Sequence, residues 1–338
     1  MPTWGEYLET LQARKNEPNI LDVLRREALT RLHGLTGRPV VLYASRWVQG
    51  GASDKISISI EDLEGFMEAF HGVPGPALDL ILHTPGGNPN ATSALVDYMR
   101  TRFSDVRVIV PLAAMSAGTM FACAANRIVL GKHSYLGPID VQLLLDTSLG
   151  RRMVPALAII KQFNTAKKEI GTAGRMSAWL PMLGQYGPDL LEECKNMRKL
   201  SEELVATWLQ SWMFAGKVDA KGRSRRIAKQ LNDHDKHLVH SRHLNRQTLK
   251  DIGLEIDDLE NLEPSNRARS QEIQDAILSV LHMVTHTFVA AIGAHKIIEN
   301  HLGKAYINQT QTIQMPFPFP GGLQGPFPAF PQVPPNTN

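Results

Sequence analysis

The chain has 338 residues, of which 43% are hydrophobic, and its 36 Lys and Arg residues against 33 Asp and Glu give a net charge of +3. These values predict a globular protein with a sizeable core, and the near-balance of charge argues against a protein that coats nucleic acid. The two cysteines, Cys123 and Cys194, cannot form a disulfide framework. No Cys/His spacing typical of zinc sites occurs, so we predict neither a metal nor a cofactor.

No targeting or membrane segment is predicted. The first residues are charged and lack the apolar centre of a signal peptide. No uncharged apolar run reaches the roughly 20 residues that span a bilayer. The nearest candidate, residues 276–292, contains two histidines and is interpreted as a buried helix. We therefore expect a cytoplasmic protein without a membrane span.

Strands and helices alternate over the first part of the chain, after a helical leader at residues 1–36. Periodicity and β-forming residues predict strands at 40–43, 78–82, 106–110 and 127–130, and helices at 63–70, 90–103 and 115–125. This alternation indicates βαβ units and a mostly parallel sheet in an α/β fold.

From residue 155 the pattern becomes helical as far as residue 214, and residues 265–300 predict one or two further helices. The basic run at 221–226 has no interleaved aromatic residues, so it indicates the solvated start of a helix rather than a nucleic-acid site. Residues 315–338 are rich in proline and phenylalanine and carry no charge. They predict a disordered or polyproline-like tail, which is a candidate docking segment.

Two turns that follow predicted strands carry the candidate chemistry. The first is the Pro-Gly-Gly turn at 85–87, where glycines allow backbone N–H groups to approach a ligand, as in half of an oxyanion hole. The second is Met-Ser-Ala-Gly at 115–118, where Ser116 lies at a strand-to-helix turn and the N–H of Ala117 lacks a helical partner. Taken singly, the first is also an ordinary turn and Ser116 is also a structural N-cap.

As a pair, the two turns resemble the Clp protease/crotonase superfamily. The chain is most similar to its signal peptide peptidase A-like branch and, within that, to the serine dehydrogenase proteinase family. The segments that carry the resemblance are LILHTPGG, VIVPLAAMSAGTMFACAANRIVLGKHSYLGPID, HSRHLNRQTLKDIGLEI and HKIIENHLGKAYI. The resemblance covers residues 37–308 and implies a ββα-repeat core with a mostly parallel sheet. We accordingly divide the chain into the leader at 1–36, a peptidase domain at 37–262, a C-terminal helical arm at 263–308 and the tail at 309–338.

The resemblance implies a role for each turn. Ser116 would be the nucleophile that attacks a peptide carbonyl and forms an acyl-enzyme, and the N–H groups of Gly86 and Ala117, with Gly87 beside them, would bind the oxyanion and the substrate. It further implies protein or peptide substrates and a homo-oligomer. Since the chain has no P-loop sequence, we expect a peptidase that does not itself use ATP.

The general base stays open between two residue types. Clp protease subunits place a catalytic histidine after the fourth strand, but the matching position here is Pro138, which cannot accept a proton. The first alternative is a Ser-Lys dyad with Lys168, or its neighbour Lys167, on the helix predicted after residue 155. A lysine serves as a base only if burial lowers its pKa.

The second alternative is a histidine. In Clp-type chains the triad aspartate lies about a dozen residues before a Gly-Leu pair, and here the residue 13 positions before Gly253 is His240. Asp233 or Asp235 would orient it.

Two other functions are compatible with the same fold. A crotonase-type enzyme would polarise an acyl-CoA thioester with two backbone N–H groups and would need no serine. A catalytically silent scaffold would recruit partners through the fold and the tail.

Overall fold

The computed structural model describes residues 3–50, 54–147, 150–171, 175–184, 187, 189–291 and 293–310. The tail predicted at 309–338 therefore lies outside the described residues from 311 onward. The helices are α1 (Trp4–Ala13), α2 (Ile20–Thr36), α3 (Asp62–Phe70), α4 (Pro89–Arg102), α5 (Ala117–Cys123), α6 (Ala156–Glu169), α7 (Met176–Leu183), α8 (Leu190–Ser211), α9 (Ala220–Leu231), α10 (His234–His237), α11 (Arg246–Ile252) and α12 (Arg267–Ala290). The strands are β1 (Val40–Ser45), β2 (Ala77–His83), β3 (Asp105–Val110), β4 (Ala113–Ala114), β5 (Arg127–Leu130), β6 (Tyr135–Leu136), β7 (Gln142–Thr147), β8 (Gly150–Pro155), β9 (Leu244–Asn245), β10 (Ile256–Asp258), β11 (Ala294–Asn300) and β12 (Ala305–Gln309).

The main sheet has seven strands in the order β10-β5-β3-β2-β1-β11-β12. The first five are mutually parallel, whereas β11 runs antiparallel to β1 and β12 antiparallel to β11. The central strands are buried on both faces, which is why β1 and β2 read as nearly continuous apolar runs instead of alternating ones. The predicted α/β fold with a mostly parallel sheet is confirmed.

Helices cover both faces of this sheet. On one face, α3, α4, α5 and α8 enclose a core that includes Phe66, Phe121 and Leu209. On the other face, α2 packs along α12 over a second core that includes Leu29 and Ile277. The side chains along each strand point alternately into these two cores. The carboxyl ends of β2 and β3 lead into the turns that precede α4 and α5.

The C-terminal part differs from its prediction. The segment predicted as a helical arm, residues 263–308, contains α12 but then continues as β11 and β12, which pair with the main sheet. Buried Ile297 and Ile298 face opposite cores, which is the period-2 pattern of a strand buried on both sides. In this arm, α12 packs on the sheet beside the leader helix α2, and β11 and β12 are strands of the sheet itself. The prediction of helix as far as residue 300 was therefore wrong.

One described helix, α12, is long and apolar enough by length and composition to cross a membrane. In its most apolar window 61% of the residues are buried inside the protein, as in a core helix. On those two criteria alone, a core helix and a spanning helix look the same, so this observation is weak evidence for either.

Candidate active site

Ser116 lies at a strained turn between β4 and α5. Its backbone has φ 51° and ψ −120°, a region that non-glycine residues seldom occupy and that is concentrated at functional sites. Although Ser116 is the N-cap of α5, its side chain makes no capping hydrogen bond. Thr119 holds the turn instead, because its hydroxyl lies within hydrogen-bond distance of the carbonyls of Ala114 (3.0 Å) and Gly137 (2.8 Å). The arrangement does not support a purely structural N-cap role for the serine.

The glycine turn packs directly against Ser116. Gly86 has φ 95°, and a Cβ at this position would lie 2.8 Å from the Ser116 Cβ and 2.9 Å from the Ala117 N. Any side chain would therefore push the two turns apart. The sequence places a glycine here because the backbone of this loop must come close to the serine.

The backbone N–H groups of the two turns differ in whether they already donate a hydrogen bond. Gly86 was expected to donate to the oxyanion, but its N–H donates to the Thr84 hydroxyl at 3.2 Å. The N–H groups of Gly87 and Ala117 donate to no residue in the described part of the chain. The available pair of donors is thus Gly87 and Ala117.

Ile58 binds the backbone groups on either side of the Gly87 N–H but not that N–H itself. The Ile58 N–H donates to the Gly86 carbonyl (2.7 Å), and the Asn88 N–H donates to the Ile58 carbonyl (2.9 Å). Successive peptide groups of an extended chain point in opposite directions, so the N–H of Gly87 points away from Ile58. A Cβ on Gly87 would lie 2.8 Å from the Ile58 Cα, so this second glycine is also required.

A cavity of about 200 Å³ joins Ser116, Gly86 and Gly87 to His240. Its apolar walls are supplied by Met120, Ile139, Val141, Met153 and Met197. His240 is partly exposed, and its Nδ1 lies 2.8 Å from an oxygen of Asp140. With Nδ1 engaged in this way, Nε2 is the ring nitrogen that Asp140 leaves unoccupied.

Asp140 is a buried carboxylate that sequence reasoning missed. It is 2% exposed and contacts the Nδ1 atoms of His240 and His234, one on each oxygen, at 2.8 and 2.7 Å. Burial raises the pKa of this carboxyl, but hydrogen bonds and charge interactions with His240 and His234 outweigh that effect and lower its pKa below the usual value. Asp140 therefore stays ionised at neutral pH and fixes the orientation of His240.

The two aspartates that were expected to orient His240 contact other groups. Asp233 caps α10 by accepting from the backbone N–H groups of Asp235 and Lys236. Asp235 pairs with Lys161 on α6 at 2.5 Å. Their expected role at His240 was wrong, because the orienting carboxylate comes from a part of the chain 100 residues away.

The fold does not place either candidate lysine in the cavity that contains Ser116. Lys168 and Lys167 are exposed on α6, and neither lines the cavity that contains Ser116. Lys167 borders a different cavity, between Phe163 and Leu183. A lysine base needs burial, and these two positions do not provide it. No group of three or more His, Cys, Asp or Glu residues that could hold a metal occurs within the described ranges.

Comparisons with known proteins bear on this site. Residues 55–172 match the family model described as a ClpP-like SDH-type serine proteinase, and this segment includes both turns and Asp140. The chain is 34% identical over 139 residues to the uncharacterized protein MJ0137 of Methanocaldococcus jannaschii, covering 41% of this chain and 42% of that protein. It is 26% identical over 200 residues to the uncharacterized protein MJ1495 of the same organism, covering 59% of each. The matches thus span about half the length of these relatives.

Among solved structures, the chain is similar to a mutant of the 1510-N membrane-bound stomatin-specific protease, with 16% identity, a TM-score of 0.24, and coverage of 43% of this chain and 80% of that one. The family match, together with the mostly parallel sheet, shows a ClpP-like α/β fold. The resemblance to the serine dehydrogenase proteinase family is thereby confirmed over residues 55–172.

Proposed function

We propose that the protein is a serine peptidase that hydrolyses peptide bonds through an acyl-enzyme on Ser116, with His240 as general base. The observation that carries this proposal is the cavity that Ser116 and His240 both line, with the imidazole bound to the buried carboxylate of Asp140. Because the matched segment belongs to a serine proteinase family, the peptide bond is the bond that this arrangement is best suited to cleave.

The residues divide the reaction into two steps. In the first, the Ser116 hydroxyl attacks the peptide carbonyl carbon, and its proton passes to Nε2 of His240. The N–H groups of Gly87 and Ala117 stabilise the negative charge that develops on the carbonyl oxygen. The imidazolium then protonates the leaving amine as the C–N bond breaks. In the second step water, deprotonated by His240, hydrolyses the ester and restores the serine.

Asp140 supports this cycle electrostatically. Its ionised carboxylate holds the proton of His240 on Nδ1 and stabilises the imidazolium that forms during each step. The absence of a P-loop sequence supports hydrolysis without ATP. Homo-oligomeric assembly, a cytoplasmic location and docking through the Pro-rich tail stay predictions from the sequence.

The test is cleavage of a mixed fluorogenic peptide library by the full-length protein without ATP. We expect Ser116→Ala and His240→Ala to lower kcat/KM by at least about 10³-fold, as for other triad serine peptidases. His295→Ala is the matched control, because this histidine contacts Thr310 and lies outside the cavity. Undiminished cleavage by Ser116→Ala would refute the proposal.

A further inference from the structure

A buried lysine reaches toward the active-site loops from the C-terminal strand β11. Lys296 is 1% exposed, and its Nζ lies 2.5 Å from an oxygen of Asp62, 3.0 Å from the Ser57 carbonyl and 3.2 Å from the Ser59 hydroxyl. A buried ammonium group persists in a core only when it is paired and hydrogen-bonded in this way. Lys296 belongs to the segment HKIIENHLGKAYI, which the mechanism above does not use.

The carboxylate that pairs with Lys296, that of Asp62, binds the loop at residues 57–59 through its second oxygen. Asp62 is fully buried, and its Oδ2 accepts from the Tyr43 hydroxyl (2.8 Å) and from the Ser59 N–H (2.9 Å). Lys296 and Asp62 together therefore fix the carbonyl of residue 57 and both the N–H and the hydroxyl of residue 59.

Ile58 lies between these fixed points and is the residue that binds the glycine turn on either side of Gly87. Its N–H and carbonyl make the hydrogen bonds to Gly86 and Asn88 that leave the Gly87 N–H pointing away from it. Ser57 also lines the cavity that contains Ser116. A continuous set of contacts thus runs from the ion pair, through residues 57–59, to the oxyanion donor.

We propose that Lys296 and Asp62 are positioning residues that hold residues 57–59 and, through Ile58, set the place of the Gly87 N–H opposite Ser116. The inference rests on the proposed peptidase function. Its physical basis is that an oxyanion donor works over a narrow range of distance, so that a shift of about 1 Å costs roughly 100-fold in rate.

The same strand supplies a matched control. Glu299 is three residues from Lys296 and lies on the other face of β11, where it forms an equally buried ion pair with Arg25 of α2. Arg25 also bonds to Thr287 of α12 and to Asp22, and this pair makes no contact with residues 57–59. The two ion pairs are equally buried, but only the pair of Lys296 and Asp62 adjoins the active-site loops.

The experiment compares two charge-neutral double variants of the full chain, Lys296→Met with Asp62→Asn and Arg25→Met with Glu299→Gln. Both are measured at a temperature at which circular dichroism shows them folded. For the first we expect kcat to fall about 10- to 100-fold with KM changed less than about 3-fold, and hydrogen exchange of the Ile58 and Asn88 amides to become faster. For the control we expect a lower Tm, a kcat within about 2-fold, and unchanged exchange at those two amides.

Ser59→Ala serves if the first double variant does not fold. It removes one hydroxyl partner of Lys296 and keeps the ion pair, so we expect the same two changes at smaller size, about 3- to 10-fold in kcat. Unchanged exchange at Ile58 and Asn88 in the folded variants, or faster exchange with an unchanged kcat, would overturn the inference. If the wild-type protein cleaves no peptide, the peptidase proposal fails, and the exchange measurement alone decides whether the ion pair holds the loop.

Discussion

Replacement of Asp140 by asparagine tests how the base is oriented. The carboxylate presents one oxygen to the Nδ1 of His240 and the other to the Nδ1 of His234. An asparagine has one carbonyl oxygen and one NH₂ group, so one of the two rings must face a donor. When that ring is His240, its proton moves to Nε2, and Nε2 can no longer accept the proton of Ser116.

The size of the effect follows from the two orientations of the amide. With NH₂ toward His240 the loss is that of a triad carrying the wrong tautomer, about 10⁴-fold in kcat, which corresponds to about 5.5 kcal/mol of transition-state stabilisation. With the carbonyl toward His240 the tautomer is kept and only the negative charge is lost. We therefore expect Asp140→Asn to lower kcat by about 10²- to 10⁴-fold, with a smaller effect on KM.

The assay is kcat and KM for one peptide substrate, with Asp233→Asn as the matched control. Asp233 caps α10 near His234, and an asparagine caps a helix about as well, so the control should stay within about 3-fold of the wild type. Near-wild-type activity of Asp140→Asn, or a larger loss in Asp233→Asn, would refute the assignment of Asp140.

Three further predictions concern the surroundings of the site. Gly86→Ala should lower kcat at least about 100-fold, because its Cβ would lie 2.8 Å from the Ser116 Cβ at a φ of 95°; activity close to wild type would contradict the geometry of the two turns. Lys168→Ala should leave kcat/KM within about 2-fold, and a loss of more than 100-fold would restore the lysine alternative. Burial lowers the pKa of His83 to about 4. Its unfolded-state pKa is near 6.5, so the stability that the neutral ring contributes is complete above pH 6.5 and is lost as the pH falls to about 4, by about 3 kcal/mol. His83→Gln should flatten this part of the curve of unfolding free energy against pH in urea denaturation, and a curve as steep as that of the wild type would contradict it.

The sequence was most informative where the signal is local. The alternation of strands and helices, the Pro-Gly-Gly turn and the small residues after Ser116 each report on neighbouring residues, and the structure places them as expected. The nearness of the two turns was predicted through the family resemblance, and the approach of Gly86 to Ser116 confirms it.

The missed features depend on residues that are distant in sequence. β11 pairs with β1 across more than 250 residues, so nothing local distinguishes it from the end of a helical arm. Lys168 was a reasonable base only if the fold buried it, and burial is decided by packing. His240 was found from its distance to Gly253, but its partner was sought among its neighbours in sequence.

Asp140 was nevertheless within reach of sequence reasoning. It lies two residues after Pro138, the position at which the resemblance expects a histidine, while His240 lies where the resemblance expects an aspartate. An exchange of the two residue types between the two positions keeps the hydrogen bond between them, and the structure shows that bond at 2.8 Å. Looking for the pair, and not for each type at its usual place, would have found it.

The central claim, that Ser116 is a nucleophile activated by His240, is tested most directly by reaction with a fluorophosphonate followed by peptide mass spectrometry. We expect one label per chain, located on Ser116, with none in Ser116→Ala and a rate at least about 100-fold lower in His240→Ala. A wild-type protein that takes up no label, or a labelling rate that His240→Ala leaves unchanged, would contradict the account.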